Sequence, residues 1–253
     1  MRIISALAVA VAVTSSGLAV AAQPDQSGVG KSVVIVPGSY VDGSGWKAVH
    51  DILTSKGYKV SVVQQSHNSL DADVATAREI LDQQVGPVVL VGHNSGGGVI
   101  TAAGERDKVR ALVYVAAFIP ELGETMTQLT ASMPAPSNDV KTTRDGHFFF
   151  NRDKFHDDFA ADLTAEQAAF MAASQVPSTA TLYGGQTWAA AWHKKPSYAV
   201  VASEDRALSP DLQRWMYKRA GAKVTEIKGS HVVYISQAEA VAKVIEDAAS
   251  VIQ

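Results

Sequence analysis

The 253-residue sequence contains no cysteine. That excludes a disulfide, a thiol nucleophile and any cysteine-ligated metal site. Charge is sparse and nearly balanced: 22 Lys and Arg stand against 25 Asp and Glu, a formal net charge of -3. Such a balance gives no basic face for nucleic acid or for an acidic membrane surface, so neither is expected as a partner. Repeats and low-complexity tracts are absent. His50, His67, His147, His156 and His193 show no metal-ligand spacing, and neither a metal nor another cofactor is expected. Apolar residues, in contrast, are plentiful. They make up 47% of the chain against 19% charged, enough for the core of one larger α/β domain.

The N-terminus is read apart from the fold. Arg2 precedes an apolar run, Ile3 to Val13, and Ala19-Val20-Ala21 and Val20-Ala21-Ala22 both offer small residues around a cleavage point. The run is short for a membrane span, and Thr14-Ser15-Ser16-Gly17 interrupts it. The pattern predicts a signal peptide over residues 1–22 and a mature domain over 23–253. The expected location is periplasmic or secreted, with no membrane association after cleavage.

Ser32 to Val36 is a nearly continuous β-branched run, the mark of a strand buried on both faces. Trp46, Val49, Ile52 and Leu53 then recur at helical spacing. Further strands are predicted over Tyr58 to Val63, Val88 to Val91, Ala111 to Val115, Tyr198 to Ala202 and Val224 to Ile227. Helices are predicted between them, including one opened by Ser209-Pro210-Asp211. Ser236-Gln237-Ala238-Glu239 reads as a capping box for the last helix. Strands alternating with helices imply a mostly parallel sheet with right-handed crossovers. The rhythm lapses over about 121–195, which is read as an inserted helical cap with a helix at Thr164 to Ala173.

The chemistry concentrates at Gly92-His93-Asn94-Ser95-Gly96-Gly97-Gly98, where a buried strand runs through a Gly-rich corner into a helix. A nucleophile elbow, usually G-x-S-x-G, has this form, with its tip residue on a strained backbone above the sheet. Gly92 and Gly96 flank Asn94, which places it at the tip. The other phase puts Ser95 there, with the bulky His93 where a small residue is needed. Asparagine is among the few non-glycine residues that tolerate a left-handed backbone. Asp205 follows a buried strand, with Glu204 beside it as a competing acid. His231 lies between a strand and a helix, on the edge where open α/β sheets build their sites. His93 is read as support beneath the elbow. Phe148-Phe149-Phe150, Phe155, Phe159, Phe170 and Trp188 are candidates for a pocket lining or for ordinary cap core.

Five segments together resemble the single-domain α/β-hydrolases, many of them described as esterases. They are Val36 to Trp46, the elbow, Val115 to Pro120, Ser203-Glu204-Asp205-Arg206, and Gly229 to Tyr234. The resemblance implies an α/β-hydrolase fold, with Asp205 as the acid and His231 as the base. It also implies that backbone N–H groups of Ser95 and of the Ser39-Tyr40 loop are oxyanion or substrate-binding donors. Two departures stand out. Pro37-Gly38 replaces the usual His-Gly, and Asn94 replaces the serine. A carboxamide nitrogen is not basic and cannot be activated as a hydroxyl can.

The expected partner is a small molecule. The leading expectation is a hydrolase acting on a small, apolar, ester-like substrate through Asn94, Asp205 and His231, with His231 activating water directly. Losing a triad serine costs about a millionfold and leaves roughly a thousandfold over water, so such activity is expected to be weak. The alternative expectation is an impaired or inactive protein that binds a small hydrophobic ligand.

Overall fold

The computed structural model describes residues 30–252 apart from residue 138, so the leader expected over 1–22 lies outside the described residues. In the first half, Ser32–Val36 (β1), Lys47–Ser55 (α1), Lys59–Val62 (β2), Leu70–Asp82 (α2), Val88–Asn94 (β3), Gly96–Ala103 (α3) and Val109–Ala117 (β4) alternate. Met126–Ser132 (α4), Val140–Thr142 (β5), His147–Phe150 (β6), Phe155–Phe159 (α5), Ala165–Ala173 (α6), Ser178–Thr179 (β7) and Ala180–Gly184 (α7) form the insertion. Ser197–Ala202 (β8), Pro210–Arg219 (α8), Lys223–Ile227 (β9), Val233–Ser236 (α9) and Ala238–Ser250 (α10) complete the chain.

The main sheet has the order β2-β1-β3-β4-β8-β9, and every pairing is parallel. Alternate side chains of β1 serve different layers. Val33 and Ile35 pack with Trp46, Leu53 and Ile245, while Val34 and Val36 pack with Leu81, Ile100 and Met216. Burial on both faces explains the near-continuous Val/Ile runs. The chain reverses its direction of winding between β1 and β3, which opens a crevice at their C-terminal ends where ligands settle in this architecture. Val36 pairs with Gly92, so the loop after β1 lies directly beside the tip of β3.

The insertion is partly helical, as expected, and β5, β6 and β7 add an antiparallel sheet of their own. The Phe148-Phe149-Phe150 run that carries β6 has the aromatic content strands favour, and it pairs with Val140 to Thr142. One expectation is corrected: Ser236 does not cap the last helix. It ends the short helix α9, and its hydroxyl donates to Asp162 Oδ2 at 2.6 Å. Tertiary hydrogen bonding takes the group that local pattern assigns to a cap.

Two carboxylates fasten the cap to the sheet loops. Asp162 accepts from Ser230 N at 2.8 Å, one residue before His231. Asp158 accepts from Arg206 Nε at 2.7 Å and from Ser137 Oγ at 2.8 Å, one residue after Asp205. Burial by itself raises the Asp158 pKa, but the Arg206 and Ser137 hydrogen bonds and the Arg206 charge outweigh it, so the carboxyl titrates below its ordinary range. A depressed carboxyl contributes stability above its unfolded pKa and loses it as pH falls through the folded value. Arg206 is half exposed, so solvent screening limits the clasp to about 1 kcal/mol or less. Protection of the amides of residues 155–163, corrected for the intrinsic exchange rate, is expected to fall several-fold below pH 4, and Arg206→Ala is expected to produce the same loss at pH 6. Unchanged exchange in Arg206→Ala would show that the clasp does not hold the cap.

Candidate functional site

The elbow is built by close approach. β3 is buried throughout and enters α3 with no intervening loop beyond Ser95. A Cβ on Gly92 would lie 2.6 Å from the Gly96 carbonyl oxygen, and one on Gly96 would strike the carbonyls of Val36 and Pro37. Glycine at both positions therefore lets the helix start press onto β1 and β3. Between them Asn94 takes φ 48°, while Ser95 is right-handed at φ -62°. Asn94 is thus the tip. A register shift in the β3–β4 pairing follows His93, beside Ala116 at φ 44°, and the Asn94 carbonyl accepts from Phe118 N at 3.1 Å.

His231 Nδ1 and Asp205 Oδ2 are 2.7 Å apart, and both side chains are fully buried. A carboxylate only accepts, so Nδ1 carries the proton. The Asn94 amide is oriented by its neighbours. One end accepts from Ser95 N at 2.6 Å and from the Tyr183 hydroxyl at 3.2 Å, and an N–H donor must meet oxygen. That leaves Nδ2 facing His231 Nε2 at 2.6 Å, where the imidazole accepts. The order is therefore elbow tip, base and acid, with Asn94 in contact with the base.

Asp205 is anchored on all sides. Oδ1 accepts from Ala207 N and Leu208 N, each at 2.9 Å, and Oδ2 also accepts from Gln213 Nε2 at 2.8 Å. Gln213 is fully buried and accepts from Ala202 N at 3.1 Å through its other atom, so it ties the acid to the end of β8. Glu204, the competing acid, instead pairs with Lys228 at the surface. His93 lies under the elbow and donates from Nε2 to the His231 carbonyl at 3.0 Å. Burial and the neighbouring His231 hold its pKa well below the usual histidine value.

Two of the N–H groups expected as oxyanion donors are engaged in this structure. The N–H of Ser95 is not open, because it is bound to Asn94 Oδ1. Nor is that of Ser39, which donates to Ser95 Oγ at 3.0 Å. Tyr40 has φ 69°, and its ring packs edge-on against Phe150 and Phe159. Above the elbow is a cavity of about 320 Å³. Asn94 forms its floor, and Tyr40, Phe118, Phe150, Pro134 and Tyr183 are among its walls. No charged side chain lines it among the described residues. Burial raises the pKa of both Tyr40 and Tyr183, which keeps these hydroxyls as neutral hydrogen-bonding groups.

The aromatic candidates divide. Phe150, Phe155 and Phe159 are buried together, while Phe170 is 69% and Trp188 44% exposed. Tyr183 and Gln213 touch the site and were not anticipated. Neither sits in a motif, and each reaches the site only through tertiary packing.

A 92-residue stretch is 37% identical to the carbendazim hydrolyzing esterase of Nocardioides sp. (strain SG-4G). The match covers 33% of this chain and 37% of that protein, so the chain spans well under half the length of this curated relative. Among solved structures, a pyrethroid hydrolase from Sphingobium faniae JZ-2 superposes with a TM-score of 0.73 at 20% identity. That alignment covers 87% of this chain and 98% of the hydrolase. Polyneuridine aldehyde esterase gives 0.73 at 18% identity, covering 86% and 98%. These likenesses establish a shared architecture. The sequence model of the alpha/beta hydrolase family matches residues 33–244, from β1 through elbow, cap and histidine loop into the last helix, and the chain belongs to that family.

Proposed function

We propose that this protein is an exported hydrolase that cleaves small, uncharged, apolar esters slowly, using the Asp205–His231 pair without an acyl-enzyme. The observation that carries the reading is the His231 Nε2 acceptor, oriented by Asp205 and aimed at the floor of an uncharged cavity. Relatives named as esterases and hydrolases support the reaction class. Water takes the place of the missing hydroxyl. With the Asn94 amide turned aside, Nε2 accepts a proton from water as its oxygen attacks the ester carbonyl carbon. The carbonyl electron pair moves to oxygen. As the tetrahedral intermediate collapses, the alkoxide leaves and recovers the proton from the imidazolium, giving acid and alcohol.

A second reading has its own observation. The Asn94 amide already satisfies His231 Nε2 and the Ser95 N–H, an arrangement suited to holding a small apolar ligand without turning it over. The two readings separate on 4-nitrophenyl acetate. The hydrolase reading expects slow turnover by the parent protein, no acetylated species in intact mass, and a rate at the buffer background in His231→Ala. A parent rate equal to that of His231→Ala would remove it in favour of the binder.

A further inference from the structure

We infer that Ser95 is a positioning residue that holds the oxyanion pocket shut, independently of Asn94. An oxyanion pocket works through N–H donors fixed in place and left free for the developing charge. In this fold they come from the residue after the elbow tip and from the loop after the first buried strand. Here the Ser95 N–H is taken by Asn94 Oδ1 at 2.6 Å, and the Ser39 N–H by Ser95 Oγ at 3.0 Å. The elbow's own side chains thus fill both donors.

The second closure is held firmly. Ser95 Oγ also lies 2.9 Å from Ser39 Oγ, which donates in turn to Ser178 Oγ at 3.2 Å on β7 of the cap. All three serines are at most 1% exposed, so water does not compete for these bonds. Ser95 Oγ accepts from Ser39 N and shares a hydrogen bond with Ser39 Oγ, which reaches Ser178 Oγ in turn. Replacing Asn94 releases only the Ser95 N–H. The Ser39 N–H stays closed until the hydroxyl at 95 is removed.

This inference rests on the ester-hydrolysis reading, and its test has a direction that a merely structural role does not share. Deleting a buried hydrogen bond ordinarily lowers activity. Here Asn94→Ser with Ser95→Ala is expected to turn over 4-nitrophenyl acetate about 100-fold faster than Asn94→Ser alone, in kcat with KM unchanged, near the lower value of one oxyanion donor. Asn94→Ser with Ser95→Thr, which keeps a hydroxyl, is expected to lose that gain. The amide of Ser39 should also exchange faster in Ser95→Ala than in the parent. An active Asn94→Ser whose double variant is no faster overturns the inference and leaves the hydrolase reading standing. If both variants are as inactive as the parent, the hydrolase reading falls. Exchange at Ser39 then decides the closure alone, and unchanged protection in Ser95→Ala overturns it.

Discussion

Asn94→Ser is expected to raise hydrolysis of 4-nitrophenyl acetate by roughly 10³- to 10⁶-fold over the parent, the range a triad serine commands. The base and its acid are already in place at 2.7 Å, and Asn94, which the base contacts, lines the cavity. Two features draw the expected value toward the lower end. Serine Oγ stands where Asn94 Cγ does now, one bond farther from Nε2 than the amide nitrogen, so the elbow and imidazole must close together. The Ser39 N–H also remains bound to Ser95 Oγ. Initial rates measure the gain, and labelling by a fluorophosphonate at residue 94 identifies the nucleophile. A serine variant as slow as the parent would mean that Asp205 and His231 do not form a working pair, and ligand binding would become the better account.

Within that serine variant, Asp205→Asn is expected to remove about 10⁴-fold of the restored kcat. The reason lies in the four donors around the carboxylate. His231 Nδ1 and Gln213 Nε2 meet Oδ2, and two backbone N–H groups meet Oδ1. An amide at this position must turn its NH₂ toward one pair of donors. The backbone pair cannot change character, whereas the imidazole can move its proton. His231 would then carry hydrogen on Nε2 and accept at Nδ1, leaving no base toward the substrate. Substrate binding in the cavity should change little, so KM is the internal control. If the Asp205→Asn form keeps its rate within tenfold, the acid does not set the tautomer.

Much of the scaffold was legible because burial on both faces leaves an uninterrupted signature. Val33 to Val36 and Val88 to Val91 could be little else than central strands. The elbow was legible because glycine spacing encodes a steric demand, and Gly92 and Gly96 meet backbone at the distances that demand implies. The pairing of Asp205 with His231 was legible through the family resemblance and their places after strands. Tyr183, Gln213, Asp158 and Asp162 were not found, since each acts through a partner at least eight residues away and no local pattern marks it. The occupied N–H groups of Ser39 and Ser95 were also invisible. Which acceptor a backbone N–H finds is decided by side-chain rotamers in the folded core.

The left-handed backbone at position 94 sets stability against activity at a single residue. A non-glycine side chain at such a φ costs roughly 1–2 kcal/mol, and asparagine bears it more easily than serine does. Asn94 also gains partners for both ends of its amide, which a hydroxyl would forgo. The present elbow is therefore the relaxed form, and a functional serine would return strain to the centre of the sheet. A lineage moving from serine to asparagine gains thermal margin as it loses turnover, and that margin can absorb destabilising changes elsewhere. One moving the other way must find compensating stability before the nucleophile can be kept.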